Sequence, residues 1–177
     1  MIPRSRVDLV LQPGEYFVGE AGYRVRTVLG SCVSVTLWSP QRRIGAMSHF
    51  LLSSRARGED LPALDARYGD EALQLMLREL ALDGISPAQC QAKIFGGGNM
   101  FSAHRGPRGP RGLAVGRRNG EAARSLLQAH GIAVISESLF GDGHRQVAFD
   151  IATGHVWSRQ VPPESLSIDE TTQAIPA

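Results

Sequence analysis

The sequence predicts an α+β domain in which mixed and antiparallel β-sheets pack together and helices lie on their outer faces. Three observations lead there. Strand-like alternation dominates the first fifty residues, two stretches of helical spacing begin near residues 70 and 119, and strand patterns return between 132 and 161. At 177 residues and 42% hydrophobic content the chain can bury one sizeable core, so the expectation is a single domain over 1–161. Residues 162–177 open on Pro162-Pro163, are polar, lack periodicity, and are expected to form a tail.

Residues 7–11 and 16–18 read as strands on either side of Pro13-Gly14, and 23–29 as a third with alternating apolar positions. Residues 29–38 and 44–52 read as two more, interrupted by Ser39-Pro40-Gln41-Arg42. A core-facing helix is expected from about Asp70 to Leu82. Asp70 would cap it, Ala72, Leu73, Met76, Leu77 and Leu80 repeat at helical spacing, and Gly84 follows. Residues 91–95 form a short strand running into Gly96-Gly97-Gly98-Asn99, a run that implies unusual backbone conformation or close contact. Residues 105–118, with five arginines among glycines and prolines, read as a basic loop. Asn119 would then cap a second helix with apolar Ala122, Ala123, Leu126 and Leu127, stopped by Gly131. Residues 132–135 follow as a buried strand, and 146–151 with 155–161 as a hairpin closed by Ala152-Thr153-Gly154.

The formal net charge is only +2 with 20% charged residues, so no global field points to nucleic acid or to a membrane surface. No apolar stretch approaches the length of a membrane span and no h-region follows the N-terminus, so a cytoplasmic location is expected. The two cysteines, Cys32 and Cys90, lack Cys-x-x-Cys or metal-ligand spacing, and the five histidines form no ligand run. Free thiols and no metal site are expected.

Within the candidate hairpin, a turn over 39–42 pairs residues whose numbers sum to 81, so that Trp38 faces Arg43 and Cys32 faces His49. The same register sends Val33, Val35 and Leu37 to the opposite face with Ile44, Ala46, Phe50 and Leu52, where a core would want them. A thiol beside an imidazole is a nucleophile beside its base, and an imidazolium there would lower the thiol pKa. Gly30, Ser31 and Ser48 are candidates for substrate contact or for stabilising an oxyanion through backbone N–H groups near Cys32. A third group should orient His49; Thr27 can do so through its hydroxyl, with Ser34 and Ser48 as alternatives. The competing reading is that such a cysteine and histidine merely pack, which is also the reading of Cys90. His104, His130 and His144 receive no catalytic role.

Several motifs in one order carry a resemblance. Thr27-Val28-Leu29-Gly30-Ser31-Cys32-Val33-Ser34-Val35, Gly45-Ala46-Met47-Ser48-His49-Phe50-Leu51-Leu52, Lys93-Ile94-Phe95-Gly96-Gly97-Gly98-Asn99-Met100 and Gly116-Arg117-Arg118-Asn119 resemble the CheD family of chemoreceptor glutamine deamidases. The segments Gly141 to Val147, Phe149-Asp150 and Gly154-His155-Val156-Trp157 extend the match to roughly residues 7–161. The resemblance implies hydrolysis of selected glutamine side chains in methyl-accepting chemotaxis receptors to glutamate, without metal or cofactor. It also implies a triad of Cys32, His49 and Thr27, receptor cytoplasmic helices as partner, and a CheC-type phosphatase as a further partner. The alternative it leaves is a non-catalytic adaptor binding receptors or such a phosphatase. The arginine-rich loop could contact an acidic receptor surface, or simply be solvated.

Overall fold

The computed structural model describes residues 5–56, 63–100 and 111–163. Among these residues nine strands and two α-helices follow in the order β1 (Val7–Val10), β2 (Tyr16–Glu20), β3 (Tyr23–Leu29), β4 (Val33–Ser39), β5 (Ile44–Ser48), α1 (Gly69–Leu82), β6 (Gln91–Gly96), α2 (Arg111–Ala129), β7 (Ala133–Leu139), β8 (His144–Asp150) and β9 (His155–Val161). They form an α+β fold of two mixed sheets, one four-stranded in the order β1-β3-β8-β9 and one five-stranded in the order β2-β5-β4-β6-β7.

The alternation read from the sequence has a direct structural meaning. Between the sheets lie Val25, Leu29, Val147 and Phe149 from one and Met47 and Phe95 from the other, with Cys32 and Trp38 against them. The opposite face of the five-stranded sheet carries Val33, Val35, Leu37, Ala46 and Ile94, which α1 and α2 cover with Ala72, Met76, Leu80 and Leu127. Both helices therefore sit on one outer face. The residues expected to share that face with Val33, Val35 and Leu37 do so, except Leu52, which is exposed.

The β4–β5 register differs from the expected one. Pairs run Thr36 with Met47, Leu37 with Ala46, Trp38 with Gly45 and Ser39 with Ile44, so paired numbers sum to 83. Val33 pairs with Phe50 in the same register. The connection is a four-residue loop, 40–43, in which Arg43 takes a left-handed φ of 53° and its N–H donates to Ser39 O at 2.8 Å. The reason is local. A two-residue hairpin favours positive φ at its first loop position, and Pro40 fixes φ near −65° there. The shift is two residues, so side chains keep their faces even though every pairing changes.

Helix α1 begins at Gly69 rather than behind an Asp70 cap; the cap position is Tyr68, whose side chain makes no capping bond. Gly69 N–H donates to Leu52 O and lies against the Phe50 ring, so backbone anchoring to the segment after β5 starts the helix. Helix α2 already runs from Arg111, so Arg111, Arg117 and Arg118 are helical and Asn119 is an interior residue, correcting the expected loop and cap. Gly116 allows this start: a Cβ there would stand 2.6 Å from Gly97 O and 2.8 Å from Gly98 O. Close packing on the triglycine segment outweighs the weak helix propensity of glycine, about 1 kcal/mol per residue. Arg105, Arg108 and His104 lie outside the described residues, as does 164–177 of the expected tail. Strand β7, expected to be buried, is an edge strand parallel to β6. Ile132 before it is buried, but Val134 and Ile135 are exposed, since among the described residues β7 pairs with β6 alone.

Candidate functional site

Strand β3 ends at Leu29 in one sheet and β4 begins at Val33 in the other, leaving 30–32 as the link that crosses between them. All three carbonyls of that link are held. Gly98 N–H donates to Gly30 O at 2.8 Å and Gly97 N–H to Cys32 O at 2.9 Å. The Asn119 Nδ2 amide donates to Ser31 O at 3.1 Å and to Leu51 O at 2.8 Å. The triglycine run is explained by this contact: Gly96 has φ +110°, and a Cβ on it would be 2.3 Å from Cys32 O. Arg145, buried, donates to Gly96 O, Ser138 O and Phe140 O and fixes the far side of the same loop.

His49 follows β5 and is held through its backbone, its N–H donating to Glu15 O at 3.0 Å and its carbonyl accepting from Gly14 N–H at 2.8 Å. Its ring reaches across to the other sheet, where Nδ1 lies 2.8 Å from Thr27 Oγ1. Thr27 Oγ1 also donates to Leu11 O at 2.8 Å. A hydroxyl has one hydrogen and a carbonyl can only accept, so the proton between Thr27 and His49 belongs to Nδ1. The neutral imidazole therefore keeps its lone pair on Nε2. Both residues are buried, Thr27 at 3% and His49 at 2% exposure. Burial pulls the His49 pKa down from 6.5 to about 4, against smaller opposing effects from Glu15 and the Leu11 carbonyl.

Cys32 is half-buried, and burial raises its thiol pKa, offset in part by its own backbone N–H. Burial thus favours the neutral form of both groups, opposite in direction to the lowering of the thiol pKa that an imidazolium beside it would produce. In the observed register Ser34, not Cys32, lies opposite His49, and Cys32 is the diagonal neighbour on the same inter-sheet face. Backbones of diagonal neighbours are about 7–8 Å apart, a distance that an imidazole side chain spans toward a thiol.

The other candidates separate cleanly. Gly30 and Ser31 adjoin the thiol, and Gly30 lies beneath the Met100 side chain. Ser48 points the other way, to the helix-covered face, where its hydroxyl accepts from Val35 N–H at 3.3 Å. Ser34 is fully buried with no hydrogen-bond partner for its hydroxyl among the described residues, so the partner of His49 is Thr27 and not either serine. Cys90 is buried with a pKa pushed up to about 11, as suits a packing residue. Sequence reading did not foresee that Asn119 would reach the Cys32 link. The spacing Gly112, Gly116, Gly120 was the available signal, since glycines four apart mark one helix face able to approach a backbone closely.

Comparison with known proteins adds a family to this geometry. A model of the family described as CheD chemotactic sensory transduction matches residues 51–160, a span that leaves Thr27, Cys32 and His49 outside it. The chain is 63% identical over 160 residues to a "Probable chemoreceptor glutamine deamidase CheD 2" of Albidiferax ferrireducens, covering 90% of this chain and 91% of the relative. It is 44% identical over 155 residues to a "Probable chemoreceptor glutamine deamidase CheD 3" of Dechloromonas aromatica, covering 88% of each. A third relative, a "Probable chemoreceptor glutamine deamidase CheD" of Pseudomonas savastanoi pv. phaseolicola, is 41% identical over 167 residues, 94% of this chain and 92% of its own. Among solved structures, a Bacillus licheniformis hypothetical protein YfiH aligns with TM-score 0.40 at 15% identity, over 70% of this chain and 50% of that one. An alignment spanning 90% of the chain leaves at most about 18 of 177 residues outside it, so the relative from Albidiferax is matched through the Thr27, Cys32 and His49 segments as well. On the family match and on these identities, the chain belongs to the CheD family.

Proposed function

We propose that this CheD-family chain is a protein-glutamine glutaminase that deamidates chosen glutamine side chains of methyl-accepting chemotaxis receptors, with Cys32 as nucleophile, His49 as base and Thr27 as the group that orients His49. One observation carries the reading. A half-exposed thiol shares a sheet face with a buried histidine whose Nδ1 is committed to a threonine hydroxyl, which leaves Nε2 as the only site for a proton.

The chemistry follows from those protonation states. As the Cys32 sulfur attacks the glutamine carboxamide carbon, its proton passes to His49 Nε2 and the carbonyl π electrons move to oxygen. The collapsing tetrahedral adduct expels nitrogen, which takes the proton from Nε2 and leaves as ammonia, and a thioester to Cys32 remains. A water then attacks the thioester carbon, giving its proton to Nε2. Sulfur departs, is reprotonated, and glutamate is released. No negative charge has to rest on sulfur before attack, which fits a thiol and an imidazole that burial pushes toward their neutral forms.

The same proposal takes receptor cytoplasmic helices as the partner and the cytoplasm as the place of reaction; among the described residues no helix is long and apolar enough to cross a membrane. It includes a CheC-type phosphatase as a second partner, on family membership alone. Incubation with receptor cytoplasmic fragments should release ammonia and add about one mass unit per glutamine converted, and Cys32→Ala should abolish both. Receptor binding without any ammonia release would replace the enzyme by an adaptor.

A further inference from the structure

The carbonyls of Gly30, Ser31 and Cys32 are each occupied by a donor from elsewhere in the fold. Every peptide bond described is trans, so within each peptide plane the C=O and the following N–H point in opposite directions. Fixing Gly30 O on Gly98 therefore fixes where Ser31 N–H points, and fixing Ser31 O on Asn119 fixes where Cys32 N–H points. Neither of these N–H groups donates to a backbone acceptor among the described residues. Two adjacent backbone donors beside a nucleophile, each with its peptide plane anchored through the carbonyl, are groups of the kind that stabilise a tetrahedral oxyanion.

One of the two tethers is a side chain. Asn119 is 1% exposed, in the interior of α2, and spends both Nδ2 hydrogens on carbonyls: Ser31 O, one residue before the nucleophile, and Leu51 O, two residues after the base. Both ends of that bridge belong to the segments that carry the site. The other tether is the Gly98 backbone, on which α2 packs through Gly116.

We propose that Asn119 is a positioning residue for the oxyanion hole, holding the Ser31–Cys32 peptide plane so that Cys32 N–H faces the oxygen of the tetrahedral adduct. The inference rests on the deamidase reading above and adds a residue outside the proposed triad.

The test separates oxyanion stabilisation from thiol reactivity. Alkylation of Cys32 by iodoacetamide is a displacement at carbon that forms no oxyanion, whereas deamidation forms two. Asn119→Ala should lower kcat for ammonia release from a receptor cytoplasmic fragment by about 10-fold or more, up to the roughly 10²-fold loss seen when an oxyanion donor is removed outright. KM and the rate and pH profile of Cys32 alkylation should stay within about twofold to threefold of wild type, because Asn119 bonds to carbonyls and to neither the Cys32 thiol nor the His49 ring. Asn119→Ser, a smaller deletion, is measured in the same way in case the alanine variant does not fold. Unchanged kcat, or a fall in alkylation matching the fall in kcat, would overturn the proposal, as would failure of both variants to fold. A wild-type protein that releases no ammonia would overturn the deamidase reading and this inference with it. Active wild type, inactive Cys32→Ala and fully active Asn119→Ala would overturn the inference alone.

Discussion

Replacing Thr27 by valine removes one oxygen from the site and almost no volume. In the wild type that oxygen donates to Leu11 O and accepts from His49 Nδ1, each at 2.8 Å, in a position 3% exposed. Valine keeps the shape, so the change leaves no sizeable cavity and the effect is polar. Two buried groups, the Leu11 carbonyl and the His49 Nδ1–H, lose their partner at a cost of about 1–3 kcal/mol each, giving a stability loss of about 2–4 kcal/mol after partial relaxation. The catalytic effect has a separate origin. With no acceptor at Nδ1, the ring is free to place its proton on Nε2 and to rotate, and a bias of about 2 kcal/mol lost from the productive tautomer lowers kcat about 30-fold. KM should change little, since Thr27 is buried away from substrate. Initial rates of ammonia release from a receptor fragment measure this, alongside iodoacetamide alkylation of Cys32, which should slow in step because the base is affected. Thr27→Ser, which keeps the hydroxyl, should stay within about fivefold of wild type. A Thr27→Val protein with kcat within about threefold of wild type would refute the orienting role.

Other outcomes follow from the same geometry. Because burial holds His49 neutral down to about pH 4, the acid limb of kcat should fall near pH 4–5 and not near the ordinary histidine value of 6.5, as a pH–rate profile would show. The same shift acts on stability. The folded pKa lies below the unfolded one, so the contribution is fully present above pH 6.5 and is lost as pH falls toward 4, to at most about 3 kcal/mol. Denaturant midpoints at pH 7 and 4.5 should differ less in His49→Gln than in wild type. Gly96→Ala should abolish activity and lower stability by about 3 kcal/mol or more, since its Cβ would meet Cys32 O at a positive φ; thermal melting and ammonia release report the two effects. Ser34→Ala should keep kcat within about twofold and leave stability unchanged or raised, because the deleted hydroxyl has no partner among the described residues.

Faces were legible in the sequence where registers were not. Period-two alternation fixes which side of a strand each residue occupies, and Cys32 and His49 share a face under either a sum of 81 or of 83. The register depended on a loop whose conformation turns on Pro40 and on the left-handed Arg43, a state that no residue pattern around arginine announces. Thr27 was readable as a hydroxyl of suitable chemistry, but its bond to His49 runs between sheets, and sheet stacking cannot be counted along the chain. Asn119 was hidden for a related reason. Its neighbourhood of glycines and arginines reads as a loop by local propensity, and only the fit of Gly116 against Gly97 and Gly98 makes it a helix. The buried strand expected at 132–135 failed because apolar content does not reveal which strand ends up at an edge.

The central claim is that Cys32 attacks the substrate, and the thioester it implies can be weighed directly. Quenching the reaction with a receptor peptide in acid during turnover, followed by intact-mass measurement and peptide mapping, should find the peptide's acyl group on the fragment containing Cys32. The adduct and the turnover should both be missing from Cys32→Ala. Turnover that persists in Cys32→Ala, or an acyl group mapped to Cys90, would contradict the account.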